Sequence, residues 1–320
     1  MSRRVVGRRP LAVAAGLAAD RLLGEPPAPL HPVVWFGTAM ERVERRWWRD
    51  ERRAGVAYAA AGAGGAAATG WAAARAVGPT AALAGATAVC AASRALLGEA
   101  RVVGHHLEAG DLETARRRLP ALVGRDPAGL DEKEMARAVV ESVAENLSDA
   151  VVATALWGLV AGAPGALVHR AVNTMDAMVG HRTARHERFG EAAARLDDLL
   201  GWPAARLSAA LVVAARPGSA GAVVRAVRTQ APAHPSPNAG VAEAAFAAAL
   251  GLRLGGVNRY GGAAEVRAPL GTGRPPEPAD VGRAVELADR VVVLLVALLA
   301  APAAVAAGVR LGRRLGRAAR

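Results

Sequence analysis

Four uncharged apolar runs limit this chain more than any other feature of its sequence. They cover residues 54–74, 76–93, 150–168 and 291–309, and each approaches the roughly 20 residues that a helix needs to cross the hydrocarbon core of a bilayer. The 320 residues are 52% hydrophobic but only 3% aromatic, with a mean hydropathy of +0.20, which is apolar for a soluble protein. We therefore predict an integral membrane protein.

Helix-forming residues dominate the polar segments between these runs, and the alternation typical of strands is nearly absent. The predicted fold class is all-α, with one multi-pass membrane domain over residues 1–320 and polar helical loops on the cytoplasmic side. Asp131 and Glu134 are predicted to form a capping box that begins one helix. The apolar run 207–215 is too short to span unaided and is expected to be re-entrant or packed against protein.

The charge distribution bears on partners and topology. The net charge is +12, but the arginines cluster chiefly at the two ends without interleaved aromatic residues, so nucleic acid is not an expected partner. Basic ends beside apolar segments are typical of cytoplasmic membrane flanks. Four spans with both ends inside would place residues 173–278 outside, so the number of spans stays open. The single cysteine, Cys90, excludes a disulfide within the chain and a cysteine metal site.

The first polar segment, residues 20–37, combines three candidate side chains with turn-forming residues. Gly24 and the prolines that follow it should force an ordered turn. That turn would bring Asp20, Glu25 and His31 close together, although an ordinary loop that ends a helix is the alternative.

A second segment predicts a helix with one acidic face. At about 100° per residue, Glu141, Glu145, Ser148 and Asp149 share a face, and valines fill the opposite side. A solvated face usually interleaves basic partners, but no basic residue occurs between 139 and 157. The pattern favours a cation site made of oxygen ligands, for which Mg²⁺ is the fitting ion. A solvated helix face is the alternative.

The third segment alternates acids and amides with arginines: Asn173, Asp176, Arg182, Arg195, Asp197 and Asp198. Asn173 and Asp176 are three residues apart and should share a helical face. The arginines are suited to binding phosphates. Structural ion pairs between the acids and the arginines are equally consistent with the pattern.

The fourth segment begins with Ser236, Pro237 and Asn238 and continues to two glycine pairs at 255–256 and 261–262. Ser236 before Pro237 predicts a helix start with free N–H groups suited to an anion. The glycine pairs would allow a ligand close to the backbone. The sequence has neither a Walker A motif nor a Rossmann glycine motif.

Taken together, five segments resemble the successive motifs of the CobD/CbiB family and occur in that family's order: DRLLGEPPAPLHPVVWFG, ESVAENLSDAVVATALW, NTMDAMVGHR, FGEAAARLDDLLGWPAARL and SPNAGVAEAAFAAALGLRLGG. The sequence departs from the family pattern in three places, one of which is an Ala-rich stretch near Ala155 where a Pro-aromatic step is usual. Gly201 stands where an Asn often follows the paired aspartates, and Arg182 stands where Lys is common.

The resemblance implies a multi-pass protein of the bacterial inner membrane that acts in cobalamin (vitamin B12) biosynthesis. The implied enzyme is an adenosylcobinamide-phosphate synthase, an acid–amine ligase that joins adenosylcobyric acid to (R)-1-amino-2-propanol or its O-phosphate. Mg²⁺ and ATP are the implied cofactor and co-substrate. The expected partners are the corrinoid, the amino alcohol and the lipid bilayer.

On this resemblance the candidate residues fall into three sets. The catalytic set is Glu141, Glu145, Asp197, Asp198 and His31. The set for substrate and phosphate binding is Asp20, Glu25, Arg182, Arg195, Ser236 and Asn238. The set for metal binding is Asp149, Asn173 and Asp176.

Two kinds of alternative remain. The first is a non-catalytic regulatory, sensor or transport protein on the same scaffold, although a transporter should carry its ionisable residues within its spans rather than between them. The second is a membrane enzyme that joins another carboxylate to another amine.

Overall fold

A computed structural model describes residues 7–124, 126–181, 183–260 and 263–318. The helices and strands follow in chain order: α1 (Arg9–Leu23), α2 (Pro32–Trp47), α3 (Arg52–Val77), α4 (Pro79–Ala91), α5 (Ser93–Glu108), α6 (Leu112–Arg118), α7 (Glu132–Asn146), a π-helical segment (Leu147–Val152), α8 (Ala153–Ala161), α9 (Ala163–Val179), α10 (Glu191–Ala215), α11 (Ala220–Thr229), α12 (Ala239–Leu250), β1 (Leu254–Tyr260), β2 (Ala263–Leu270) and α13 (Pro278–Ala318). Four short 3₁₀ turns connect them at Ala28–Leu30, Leu119–Ala121, Pro217–Ser219 and Ala231–Ala233.

The helical fold class is confirmed, with one addition that the sequence did not predict. Strands β1 and β2 form an antiparallel hairpin whose register shifts between Leu254 and Gly256. Helix α7 begins with the predicted capping box, since Asp131 accepts the Glu134 N–H and Glu134 accepts the Asp131 N–H.

Glycines on α3 allow it to pack closely along α9. A Cβ atom at Gly70 would lie 2.6 Å from the Pro164 backbone nitrogen, and one at Gly62 would collide with the Met175 sulfur. The two helices therefore touch through their backbones, as small residues allow in membrane helix pairs. This contact fixes where α9 presents its polar side chains.

An ion pair joins the helices at the other side of the molecule. Arg21 of α1 makes a bidentate contact with Asp289 of α13, at 2.6 and 2.9 Å, and Arg101 of α5 lies 3.8 Å from the same carboxylate. The hydrogen bonds from Arg21 lower the pKa of Asp289. The pair holds α1 and α5 against α13.

Three stretches of helix are long and apolar enough to cross a membrane, by length and composition, among the described residues: Pro79–Glu108, Glu132–Ala161 and Glu191–Ala215. The predicted spans 76–93 and 150–168 overlap the first two. The predicted span 54–74 lies within α3, which is not among the three, and 291–309 lies within α13.

The run 207–215 is packed against protein, as one of the two expectations for it had it, but it is neither re-entrant nor a short isolated segment. The apolar run is the second half of α10, a continuous helix of 25 residues that continues through Pro203. Its first half carries charged residues that made it look like part of a polar loop.

The glycine contacts predict opposite effects for two substitutions on α3. Gly70→Ala should destabilise the protein by roughly 1–3 kcal/mol, because the added Cβ meets the backbone of α9. Gly64→Ala should be neutral or slightly stabilising, because nothing lies within 4 Å of its Cβ position and Ala favours a helix. Thermal unfolding of the two variants in detergent micelles tests this, and equal melting temperatures would contradict the packing described.

Candidate active site

A π-helical turn places the first acidic group. The chain leaves α7 at Asn146, passes through the π segment Leu147–Val152 and continues as α8. Such a turn takes one more residue than an α-helical turn and is frequent at functional sites. It redirects Asp149 relative to an unbroken helix and brings the segment against α10.

Half-buried carboxylates from three stretches of helix meet beside this turn. Asp149 interacts electrostatically with Glu145, Asp197 and Asp176, and Arg170 is the cation that acts on it. We call Glu145, Asp149, Asn173, Asp176, Asp197 and Asp198 the acidic cluster.

Hydrogen bonds order one side of the cluster. The Asn173 amide nitrogen donates to Asp197 Oδ1 at 3.3 Å, and Arg170 donates to the Asn173 amide oxygen at 3.5 Å. Asn173 therefore links the cation on α9 to a carboxylate on α10. The prediction that these side chains come together is consistent with this geometry.

The cluster offers a surplus of oxygen ligands with negative charge. Among the described residues, no group of three His, Cys, Asp or Glu side chains is arranged to hold a metal ion by itself. Mg²⁺ is usually bound by one or two carboxylates and completes its shell with water and substrate phosphates. The cluster fits that mode, in which Asp149, Asn173 and Asp176 remain the predicted ligands.

Asn238 joins the start of α12 to the cluster. Its amide nitrogen donates to the Asp198 backbone oxygen at 2.9 Å, and its amide oxygen accepts from Arg206 at 3.2 Å. A Cβ at Gly201 would lie 2.6 Å from that amide nitrogen. The glycine that departs from the family pattern thus leaves space for Asn238.

Ser236 stabilises the same turn with its hydroxyl. The Ser236 oxygen accepts from the backbone N–H of Asn238 at 3.3 Å and of Ala239 at 3.2 Å. Helix α12 begins at Ala239, later than the sequence predicts from Ser236 and Pro237. The N–H groups predicted to be free for an anion are therefore already bonded to Ser236.

The first motif lies against α9, near the cluster. His31 Nδ1 accepts from the Val33 N–H at 3.1 Å and so caps α2, while His31 Nε2 lies 3.5 Å from Glu25. Glu25 and Arg170 both act electrostatically on Cys90, and α2 packs against α9. The predicted proximity of Glu25 and His31 is thus seen in the structure.

Asp20 has a different role in the structure. It is fully buried, and its Oδ2 accepts hydrogen bonds from the Ser93 N–H, at 2.9 Å, and from the Ser93 hydroxyl. It thereby caps α5, just after Ala92 takes a left-handed conformation with φ of 52°. Burial raises the pKa of Asp20, and hydrogen bonds from Ser93 partly offset the effect.

Glu141 is buried at the base of the hairpin. Its Oε1 accepts from the Gly255 N–H at 3.0 Å, and Arg137 donates to the backbone oxygens of Gly255 and Val257. A Cβ at Gly256 would lie 2.5 Å from Arg137. The close approach that this glycine pair allows is therefore made by Arg137 rather than by a ligand.

Of the two predicted phosphate-binding arginines, the structure describes only Arg195. The Arg195 side chain is 78% exposed and pairs with Glu191 at 2.6 Å, so it points away from the acidic cluster into solvent. Arg182 lies outside the described residues.

Two charged residues, Arg170 and Glu243, were not among the predicted site residues. Arg170 lies three positions before Asn173, a spacing that could have revealed it. Glu243 is fully buried in α12, with His234 Nε2 at 3.8 Å and Arg267 at 3.9 Å. The signal for Glu243 was a single charge in an otherwise apolar helix.

The comparisons with known proteins follow this geometry. The model of the family described as CobD/Cbib protein matches residues 13–288. The chain belongs to the CobD/CbiB family. A relative from Mycobacterium tuberculosis named "Cobalamin biosynthesis protein CobD" is 45% identical to this chain over 290 residues, which cover 89% of this chain and 92% of the relative. The relative of that name from Chromobacterium violaceum is 43% identical over 284 residues, 86% of this chain and 90% of its own.

A more distant CobD relative, from Halalkalibacterium halodurans, is 34% identical over 296 residues, 88% of this chain and 93% of its own. No solved structure matches the chain. The resemblance seen in the five motifs is confirmed, and membership of the CobD/CbiB family supports a role in cobalamin biosynthesis.

Repulsion within the acidic cluster predicts that its charge costs stability. Asp197→Asn keeps the oxygen that accepts from Asn173 but replaces a buried carboxylate, which costs desolvation and lies near Asp149 and Glu145, by a neutral amide. In metal-free detergent solution with a chelator, we expect the free energy of unfolding of this variant to exceed that of the wild type by on the order of 1 kcal/mol.

The matched control is Glu191→Gln on the same helix. Glu191 is paired with Arg52 and Arg195, so its neutralisation should leave stability unchanged or slightly lower. A lower melting temperature for Asp197→Asn than for Glu191→Gln would show that the cluster is not under repulsion.

Proposed function

We propose that this chain catalyses ATP-dependent amide formation between the carboxylate of adenosylcobyric acid and the amine of (R)-1-amino-2-propanol or its O-phosphate. The observation that carries the proposal is the meeting of the acidic cluster and Arg170 beside the π-helical turn. The CobD names of the relatives supply the pathway, and the five family motifs supply the substrate class.

Mg²⁺ bound at the cluster would neutralise the phosphates of ATP and stabilise the charge that develops during phosphoryl transfer. The predicted residues for holding it are Asp149, Asn173 and Asp176. Asp149 lies on the π segment, Asn173 and Asp176 lie on α9, and both stretches pack against α10.

The reaction requires activation of a carboxylate and removal of a proton. The substrate carboxylate oxygen would attack the terminal phosphorus of ATP, which releases ADP and gives an acyl phosphate. The amine nitrogen then attacks the acyl carbon, the C–O bond to phosphate breaks, and inorganic phosphate leaves.

A carboxylate of the cluster would accept the proton that the amine loses. Asp197 is suited to this step, because Asn173 donates to Oδ1 and thereby orients the side chain. Glu145, which acts electrostatically on Asp197, is the second candidate for the same step. A positioned general base typically contributes ~10²–10⁴-fold to a rate.

A transport function is the second candidate. The sequence placed the ionisable residues between the predicted spans, but Asp149 and Asp197 lie within helices long enough to cross a membrane. Ionisable residues in such positions are typical of transport pathways. A regulatory or sensor role without catalysis also remains among the alternatives.

We predict that the wild-type chain restores cobalamin-dependent growth to a bacterial strain that cannot form cobinamide. Glu145→Gln and Asp197→Asn should lose at least ~10²-fold in the rate of amide formation, because each removes a carboxylate that could accept the proton lost by the amine. Complementation at matched membrane levels and ADP release from purified protein, dependent on corrinoid and amine, measure this.

Glu132→Gln is the control, because Glu132 is an exposed carboxylate of the same helix as Glu145. It should complement like wild type. Well-inserted wild-type protein that forms no amide and releases no ADP would overturn the proposal, and corrinoid uptake into vesicles would then support transport.

A further inference from the structure

Helix α2 presents two different faces. Met40 is buried, and the helix packs against α9 and α3 on that side. The opposite side exposes Trp35 (56% accessible) and, at helical spacing, Arg42 and Arg46. An exposed Trp at one end of a stripe and arginines along the rest are typical of a helix at a membrane surface.

Five exposed arginines on α2 and on segments near its end form no ion pair with a carboxylate of the described residues. We call Arg42, Arg46, Arg49, Arg53 and Arg188 the arginine surface. Within the described part of the chain, none of these five guanidinium groups has a carboxylate within 4.0 Å. Their neighbours differ, since Arg45 pairs with Glu41 at 3.7 Å and Arg52 pairs with Glu191 at 2.5 Å. These five arginines therefore carry positive charge that no ion pair neutralises.

A cavity opens within this surface where α2 ends and α3 begins. Its volume is about 500 Å³, and it is lined by Glu51, Arg52, Arg53 and Arg188. Because Glu191 neutralises Arg52, the lining keeps the two positive charges of Arg53 and Arg188 and the one negative charge of Glu51, a net charge of +1. The cavity has the size and charge to accept a phosphate-bearing group.

Tryptophans border the same region. Trp47, four residues before Glu51 in the chain, is 44% exposed. Trp48 donates to the Arg185 backbone oxygen at 3.0 Å, and the Arg185 guanidinium lies 4.6 Å from its ring centroid. Trp is enriched where a protein meets the headgroup region of a bilayer. The Arg52–Glu191 pair also fixes the cavity at the start of α10, a helix long enough to cross a membrane.

We propose that the arginine surface binds the headgroup phosphate of an anionic phospholipid, with Trp35 and Trp47 at the boundary with the acyl chains. A soluble anion would not need exposed tryptophans or a position at the end of a candidate membrane helix. The site depends on membrane residence and not on the proposed ligase reaction, so either can fail without the other.

The test uses full-length protein purified in a neutral detergent. Phosphatidylglycerol and phosphatidylcholine with the same acyl chains are titrated separately, and bound lipid is measured by native mass spectrometry at low salt. We expect phosphatidylglycerol to bind at least tenfold more tightly. The triple variant Arg46→Gln, Arg53→Gln, Arg188→Gln should lose about 5-fold in affinity per arginine removed.

Two further variants separate charge at this site from net charge and from folding. Arg225→Gln, Arg228→Gln, Arg253→Gln removes the same charge from exposed positions elsewhere and should keep the preference. Replacement of the three arginines of the surface by Lys should also keep it, because the charge remains.

Three outcomes would overturn the proposal. They are an equal loss in the control triple variant, an unchanged preference in the surface triple variant, and displacement of phosphatidylglycerol by micromolar inorganic pyrophosphate. The last result would assign the cavity to a soluble anion.

Discussion

The burial of neighbouring carboxylates in the acidic cluster, which costs desolvation first and mutual repulsion second, is the constraint on which the rest of the structure depends. Charges of one sign are held together only where the surrounding helices cannot move apart. The glycine contacts between α3 and α9 and the turn bonded by Ser236 and Asn238 supply that rigidity. A cation or a phosphate-bound metal would relieve the repulsion, so the strain and the binding capacity of the site have one origin.

Local patterns in the sequence predicted much of this structure. Helix propensity gave the fold class, and the capping box gave the start of α7 to the residue. The predicted acidic face supplied Glu145 and Asp149, and the pairs on α9 and α10 supplied the other carboxylates of the cluster, whereas Glu141 of the same face bonds to the hairpin. Each of these signals depends on residues within a few turns of helix, where spacing alone determines which side chains share a face.

The contacts that the sequence could not reveal join residues that are far apart in the chain. Asp20 binds Ser93, 73 positions away, and Arg137 binds Gly255, 118 positions away. Asp20 and the glycine pair 255–256 were predicted to bind a ligand, and Arg137 was given no role. The sequence could not separate these cases, because a buried carboxylate and a glycine pair are equally suited to binding protein backbone. The hairpin was missed for a related reason, since its stability comes from α7 and α12 rather than from strand propensity.

The π-helical turn at Leu147–Val152 has a consequence for how this site could be lost or changed. The helix from Glu132 to Ala161 contains one residue more than an unbroken α-helix of the same path. Loss of one residue in the turn would restore regular α-helical hydrogen bonding and keep the helix beyond it on the same path, but the residues within the turn would point in new directions. A single-codon deletion could thus leave a regular, well-packed helix and still aim Asp149 away from its partners.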